Sequence, residues 1–87
     1  MSKECYVYIV ECSDGSLYTG YTVDLSRRIN EHNYSSRSAK YTRSRRPVRL
    51  IYHETYDNTS AALRRECQIK KLSRKKKLEL IKASDGV

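Results

Sequence analysis

The sequence contains no phenylalanine and no tryptophan, so its eight aromatic residues are all tyrosine. A core limited to tyrosine excludes a purely apolar interior, because each buried phenol brings a hydroxyl that needs a hydrogen-bond partner. Long apolar runs are missing too. Nothing approaches the ~20 residues of a membrane span, and the first residues lack the basic-then-apolar order of a secretory signal. The expectation is a soluble, intracellular protein with no membrane partner. Cysteine spacing excludes more: Cys5, Cys12 and Cys67 form an odd, scattered set, matching neither a disulfide framework nor a zinc site, and free buried thiols are expected. No internal repeat interrupts the chain.

What is present is positive charge. Eighteen Lys and Arg against ten Asp and Glu give a formal net charge of +8 on 87 residues, which points to a polyanionic partner. A chain this short forms one domain and buries only about 60% of its unfolded surface, so one layer of helices on a small sheet is expected. The domain core is expected over residues 5–83, with a basic loop over 34–47.

Residues Cys5 to Glu11 alternate with apolar groups on both faces, which predicts a central strand. Ser13-Asp14-Gly15 signals a turn, and Ser16 to Tyr21 reads as the returning strand. Loop length decides the chemistry here. A two-residue turn places Tyr8 and Tyr18 on opposite faces. A three-residue loop with Gly15 left-handed instead pairs Cys12 with Ser16, Val10 with Tyr18 and Tyr8 with Gly20. The two phenols then share a face as diagonal neighbours, roughly 7–8 Å apart at the backbone. Gly20 has no side chain to obstruct them.

Asp24 is a good N-cap for a helix over Leu25 to Asn33, docked by Leu25 and Ile29. Arg28 and His32, also four apart, share a neighbouring face and can act on a common point. From Tyr34 to Pro47 there is no apolar period and no acid, yet the stretch holds Arg37, Lys40, Arg43, Arg45 and Arg46. Cations crowded without counter-ions repel one another, and phosphates relieve that. Val48, Leu50 and Tyr52 then alternate with Arg49, Ile51 and His53 as a third strand.

Asn58 or Thr59 caps a further helix to about Leu72, with Ala62, Leu63, Cys67, Ile69 and Leu72 as its apolar side and Glu66 near the middle. A carboxylate there is costly unless paired, for instance with an arginine, or bound to a metal. Ser73 caps a last helix over Arg74 to Ala83, resting on Leu78 and Ile81, and residues 84–87 are expected to fray. Its first turn, Arg74 to Lys77, places cations where the helix dipole is already positive, an arrangement that suits a phosphate ligand. Lys70, Arg74, Lys75 and Lys76 therefore join the loop cations as expected nucleic-acid contacts.

Two phenols, a guanidinium, an imidazole and one awkward carboxylate amount to the parts that phosphodiester hydrolysis requires. The chain resembles the GIY-YIG nuclease domain, and within it the short stand-alone UPF0213 group. Tyr6-Val-Tyr8 stands for the first tripeptide with Tyr in place of Gly, and Tyr18-Thr-Gly20 for the second with Thr in the middle. Arg28 follows ten residues after Tyr18, and the Glu66 helix continues into Ile69-Lys70; the resemblance spans roughly Tyr6 to Lys77. It implies an α+β fold, a three-stranded antiparallel sheet flanked by helices, and metal-dependent endonuclease cutting of DNA, or of RNA. By position, Glu66 is implied to hold Mg²⁺ or Mn²⁺, Arg28 to grip the scissile phosphate, Tyr8 and Tyr18 to orient or deprotonate water, and His32 to accept or relay a proton. The alternatives are a catalytically silent module that holds nucleic acid on the same basic surface, and a basic protein that docks on an acidic partner.

Overall fold

The structure, a computed structural model, describes residues 4–85. Strands β1 (Cys5–Glu11), β2 (Leu17–Thr22) and β3 (Arg49–Tyr56) form one antiparallel sheet in the order β2-β1-β3. Between β2 and β3 lie helix α1 (Leu25–Tyr34) and the single turn α2 (Lys40–Arg43); α3 (Thr59–Lys70) and α4 (Arg74–Asp85) follow. The expected sheet, with β1 central, is the observed one.

The hairpin adopts the three-residue loop. Tyr8 pairs with Gly20 and Val10 with Tyr18, Cys12 N–H donates to Ser16 O at 2.8 Å, and Gly15 has φ +83°. Asp14 stiffens the loop by accepting the Ser16 N–H at 3.0 Å, an Asx-type bond that pre-forms the turn.

Because side chains alternate along β1, its two faces build two cores. Cys5, Val7 and Ile9 pack with Ala62 and Ile69 of α3, bordered by Leu72, Leu80 and Ile81. On the other face Tyr8, Val10, Cys12 and Val48 gather with Tyr18, Leu25, Ile29 and Leu50. Helices therefore cover both faces, where length suggested one layer. Each fully buried Val or Ile contributes about 1.5–3 kcal/mol, so a short chain gains by using its central strand twice.

Asp24 caps α1 by accepting the Arg27 N–H at 3.1 Å, and Asn58 caps α3 by accepting the Ala61 N–H at 2.8 Å. Several details differ from expectation. In β3 a bulge intervenes where Ile9 pairs with Tyr52 but Val10 with Leu50; the extra residue, Ile51, resets the alternation. Leu50 thus joins the α1 side while Ile51 and Tyr52 join the α3 side. On α3, Leu63 and Cys67 face outward, Leu63 at 44% exposure. The helix docks on the narrower line of Ala62 and Ile69, so Cys67 is an exposed thiol while Cys5 and Cys12 are buried. On α4, Leu80 and Ile81 make the contact and Leu78 is exposed. That helix continues to Asp85, through part of the expected frayed tail, whose residues 86–87 lie outside the described residues.

Two tyrosine hydroxyls of β3 share one partner. Tyr52 and Tyr56 both donate to Glu54, which also takes two bonds from Arg65 at 2.9 and 3.0 Å. Burial pushes the Glu54 carboxyl up, but Arg65 and the two phenols outweigh it and hold the pKa below the usual value. Arginine pairing, one reading of Glu66, belongs instead to Glu54.

Candidate active site

Register, helix capping and loop packing bring four of the singled-out side chains to one place. Tyr8 leaves the centre of the sheet and passes over Gly20, so that a Cβ there would lie 2.5 Å from Tyr8 Cζ. Its hydroxyl reaches His32 Nε2 at 2.7 Å. Tyr18, on the same face, sets its ring edge-on to the His32 imidazole with centroids 5.5 Å apart. Arg28, one turn before His32, spends Nη1 on Glu31 Oε1 and on the Arg37 carbonyl, each at 2.9 Å. Its positive charge favours ionisation of the Tyr8 hydroxyl.

Glu66 stands on α3, the helix that packs on the Cys5, Val7 and Ile9 face of β1. Its side chain is 18% exposed and Oε2 lies 3.3 Å from Lys70 Nζ, one turn on. It is no isolated carboxylate in an apolar wall, yet its charge is felt at Tyr8. The Tyr8 pKa is pushed up to about 12, first by burial, against Arg28, which lowers it, and with help from Tyr18 and Glu66. One hydroxyl therefore senses Arg28, Tyr18 and Glu66 while bonding to His32. The imidazole is fully buried, and burial, then Arg28, push its pKa down to about 4 against the pull of Glu31. At neutral pH His32 carries no charge.

Behind His32 stands a residue that sequence reading missed. Thr42 of α2 is fully buried, its Oγ1 lies 2.8 Å from His32 Nδ1, and its hydroxyl donates to the Ala39 carbonyl at 3.1 Å. No periodicity could signal it, since α2 is four residues long and sits in a polar stretch. Tyr41, beside it, stacks on Tyr18 at 5.9 Å and carries the Arg45 guanidinium 3.9 Å above its ring.

The loop cations are used differently from expectation. Arg43 donates to the Ser36 and Ser38 carbonyls at 2.9 and 3.2 Å. Arg46 donates to the His32 carbonyl at 2.7 Å, to Ser38 Oγ at 3.0 Å and to the Ser35 carbonyl. Arg45 bonds Asp14 at 3.2 Å and the Tyr41 carbonyl at 2.8 Å. Carbonyl oxygens and Asp14 thus relieve much of the charge crowding among these arginines. Arg37 and Lys40 are exposed. At α4, Arg74 donates to the Gly15 carbonyl at 2.7 Å, Lys75 is exposed, and Lys76 lies 4.0 Å from Glu79. A groove of about 230 Å³ between Tyr41, Arg74, Lys77 and the start of β2 adjoins the stack on Tyr18.

No group of three or more His, Cys, Asp or Glu suited to a metal occurs among the described residues. One carboxylate does fit an Mg²⁺-type ion, which commonly takes one or two protein carboxylates and completes its shell with water and substrate phosphate.

Comparison with known proteins gives the chain its relatives. Residues 4–79 match the family model of the GIY-YIG catalytic domain. A UPF0213 protein of Syntrophus aciditrophicus is 58% identical over 82 residues, covering 94% of this chain and 93% of its own. One from Haloquadratum walsbyi is 60% identical over 80 residues, covering 92% and 89%. The solution NMR structure of a UPF0213 protein from Bacillus halodurans superposes with TM-score 0.60 at 49% identity, covering 92% of this chain and 84% of that one. The solution NMR structure of a protein from E. faecalis gives 0.67 at 43%, covering 100% and 94%. Among the described residues no helix is long and apolar enough to cross a membrane. The family-model match, the similar relatives and the shared fold together show that the chain belongs to the GIY-YIG catalytic domain family, a family of nuclease type.

Proposed function

We propose that this protein is a divalent-metal-dependent endonuclease that hydrolyses phosphodiester bonds in DNA. The observation that carries the reading is the Tyr8 hydroxyl, bonded to His32 at 2.7 Å, with the Tyr18 ring edge-on to the same imidazole.

A phenol with a pKa of about 12 is a poor free base at neutral pH. Relay removes the difficulty. As an attacking water gives its proton to Tyr8 Oη, the phenolic proton passes to His32 Nε2, so no free tyrosinate forms. The water oxygen bonds to phosphorus, the bond to the leaving sugar oxygen breaks, and solvent returns a proton to that oxygen. Arg28 holds the non-bridging oxygens with the N–H groups that Glu31 and Arg37 leave over. Bound phosphate also offsets the Arg28 charge, one of the causes that depress His32, so substrate makes the imidazole a better acceptor. Glu66 would hold Mg²⁺ or Mn²⁺, which supplies Lewis-acid polarisation of the phosphate and charge stabilisation at the leaving oxygen. Exposed Lys75, Lys40 and Arg37 supply sequence-independent attraction to the backbone.

A second reading, a silent nucleic-acid-binding module, draws support from the Lys70–Glu66 pair, which occupies one oxygen of the carboxylate proposed to hold the metal. Supercoiled-plasmid nicking with Mg²⁺, Mn²⁺ or EDTA separates the two. Cleavage that EDTA stops and that Glu66→Ala and Arg28→Ala each abolish is expected. Salt-sensitive binding without cleavage in either metal selects the module, and a labelled RNA in the same assay decides between the nucleic acids.

A further inference from the structure

We infer that Thr42 is a positioning residue that fixes which nitrogen of His32 carries the proton, and so makes the imidazole an acceptor towards Tyr8. The inference deepens the endonuclease reading and rests on it for its catalytic meaning, though its structural claim can be tested separately.

The direction of the hydrogen-bond chain decides the matter. A backbone carbonyl can only accept, so the contact between Thr42 Oγ1 and Ala39 O at 3.1 Å uses the single Thr42 proton. Towards His32 Nδ1, 2.8 Å away, Thr42 can then only accept. Nδ1 must carry the hydrogen, and a neutral imidazole has only one. Nε2 is left as a lone-pair acceptor facing the Tyr8 hydroxyl at 2.7 Å. His32 and Thr42 are both fully buried, so no solvent competes with Thr42 for Nδ1. Without the Thr42 hydroxyl, the Nδ1–H form would be left with a buried, unpaired donor. The other tautomer then gains, and its Nε2–H points at Tyr8 Oη and cannot take a proton from it.

Neighbouring residues hold Thr42 in place. The Ala39 carbonyl also receives the Thr42 and Arg43 N–H groups at 3.1 and 3.0 Å. Arg46 ties the end of α1 to Ser38, one residue before Ala39. The basic loop therefore forms the back wall of the site.

The test compares the parent with Thr42→Val, which keeps the shape and removes the hydroxyl, and Thr42→Ser, which restores it. With only two histidines in the chain, ¹⁵N-histidine labelling and a His53→Gln reference assign the His32 nitrogens, and long-range ¹H–¹⁵N spectra report the tautomer directly. Expected are Nδ1–H in the parent and in Thr42→Ser, and a shift to Nε2–H in Thr42→Val. In the nicking assay, kcat of Thr42→Val is expected to fall by roughly ten- to a hundredfold, with KM unchanged and recovery in Thr42→Ser. An Nε2–H parent overturns the inference even if Thr42→Val does not fold, as does an unaltered tautomer in a folded Thr42→Val. A parent that shows the Nδ1–H tautomer and the predicted shift but never cuts nucleic acid refutes the endonuclease reading alone.

Discussion

Tyr8 crosses the backbone of Gly20 so closely that no Cβ fits between them. Gly20→Ala must push the ring aside, and overpacking of this kind costs roughly 1–3 kcal/mol. Displacing the ring also breaks the 2.7 Å bond to His32. We expect lower stability in urea unfolding together with loss of nicking; full activity in a folded Gly20→Ala protein would show that the close approach is incidental.

Acid should weaken the fold before its carboxylates titrate. His32 has an ordinary pKa of 6.5 when unfolded and about 4 when folded. Above 6.5 both states hold neutral imidazole and stability does not respond to this group. As the pH falls from 6.5 towards 4, the unfolded chain takes up a proton that the folded chain refuses. Stability is therefore lost on acidification, by about 2 kcal/mol at pH 5. Urea midpoints at pH 7 and pH 5 measure it, and His32→Gln should flatten the slope across that window.

The cations divide into interior and exterior sets with different consequences. Arg46→Met strips hydrogen bonds from the His32 and Ser35 carbonyls and from Ser38 Oγ, so a loss of about 1–3 kcal/mol is expected. Lys75→Gln, on an exposed side chain, should leave stability within about 0.5 kcal/mol. It should lower DNA affinity uniformly and reduce the salt slope by about 1. Thermal unfolding paired with a salt titration of binding separates the two; equal effects on both measurements would contradict the division.

Thr19 Oγ1 is buried without a hydrogen-bond partner among the described residues. Thr19→Val deletes an unsatisfied hydroxyl and keeps the branched shape a strand favours. Stability should rise by up to about 1 kcal/mol with nicking unchanged, and a destabilised variant would indicate a partner for that hydroxyl.

Much of the fold was legible because local chemistry and tertiary need coincide. Asp14-Gly15 demands a turn, Asp24 and Asn58 demand helix starts, and β1 carries apolar groups on both faces because it lies between two helical layers. The face of α3 was less legible: Leu63 and Cys67 are apolar, yet the contact line onto Cys5, Val7 and Ile9 admits only Ala62 and Ile69 at its centre. Ile51 escaped because a bulge leaves no mark in hydropathy. At the site, spacing located Tyr8, Tyr18, Arg28 and His32 together. Thr42 stayed hidden because its significance comes from a contact ten residues away that no helical or strand period links. The loop arginines misled for a related reason: backbone carbonyls, their actual partners, are the same in every sequence.

The left-handed glycine at position 15 has a consequence for how this domain tolerates insertion and deletion. Removing one residue from Ser13-Asp14-Gly15 would turn β2 inside out, sending the Tyr18 phenol under α3 and presenting Thr19 to the imidazole. Variation in hairpin length should therefore come in steps of two, with single-residue changes yielding folded molecules that have lost their chemistry.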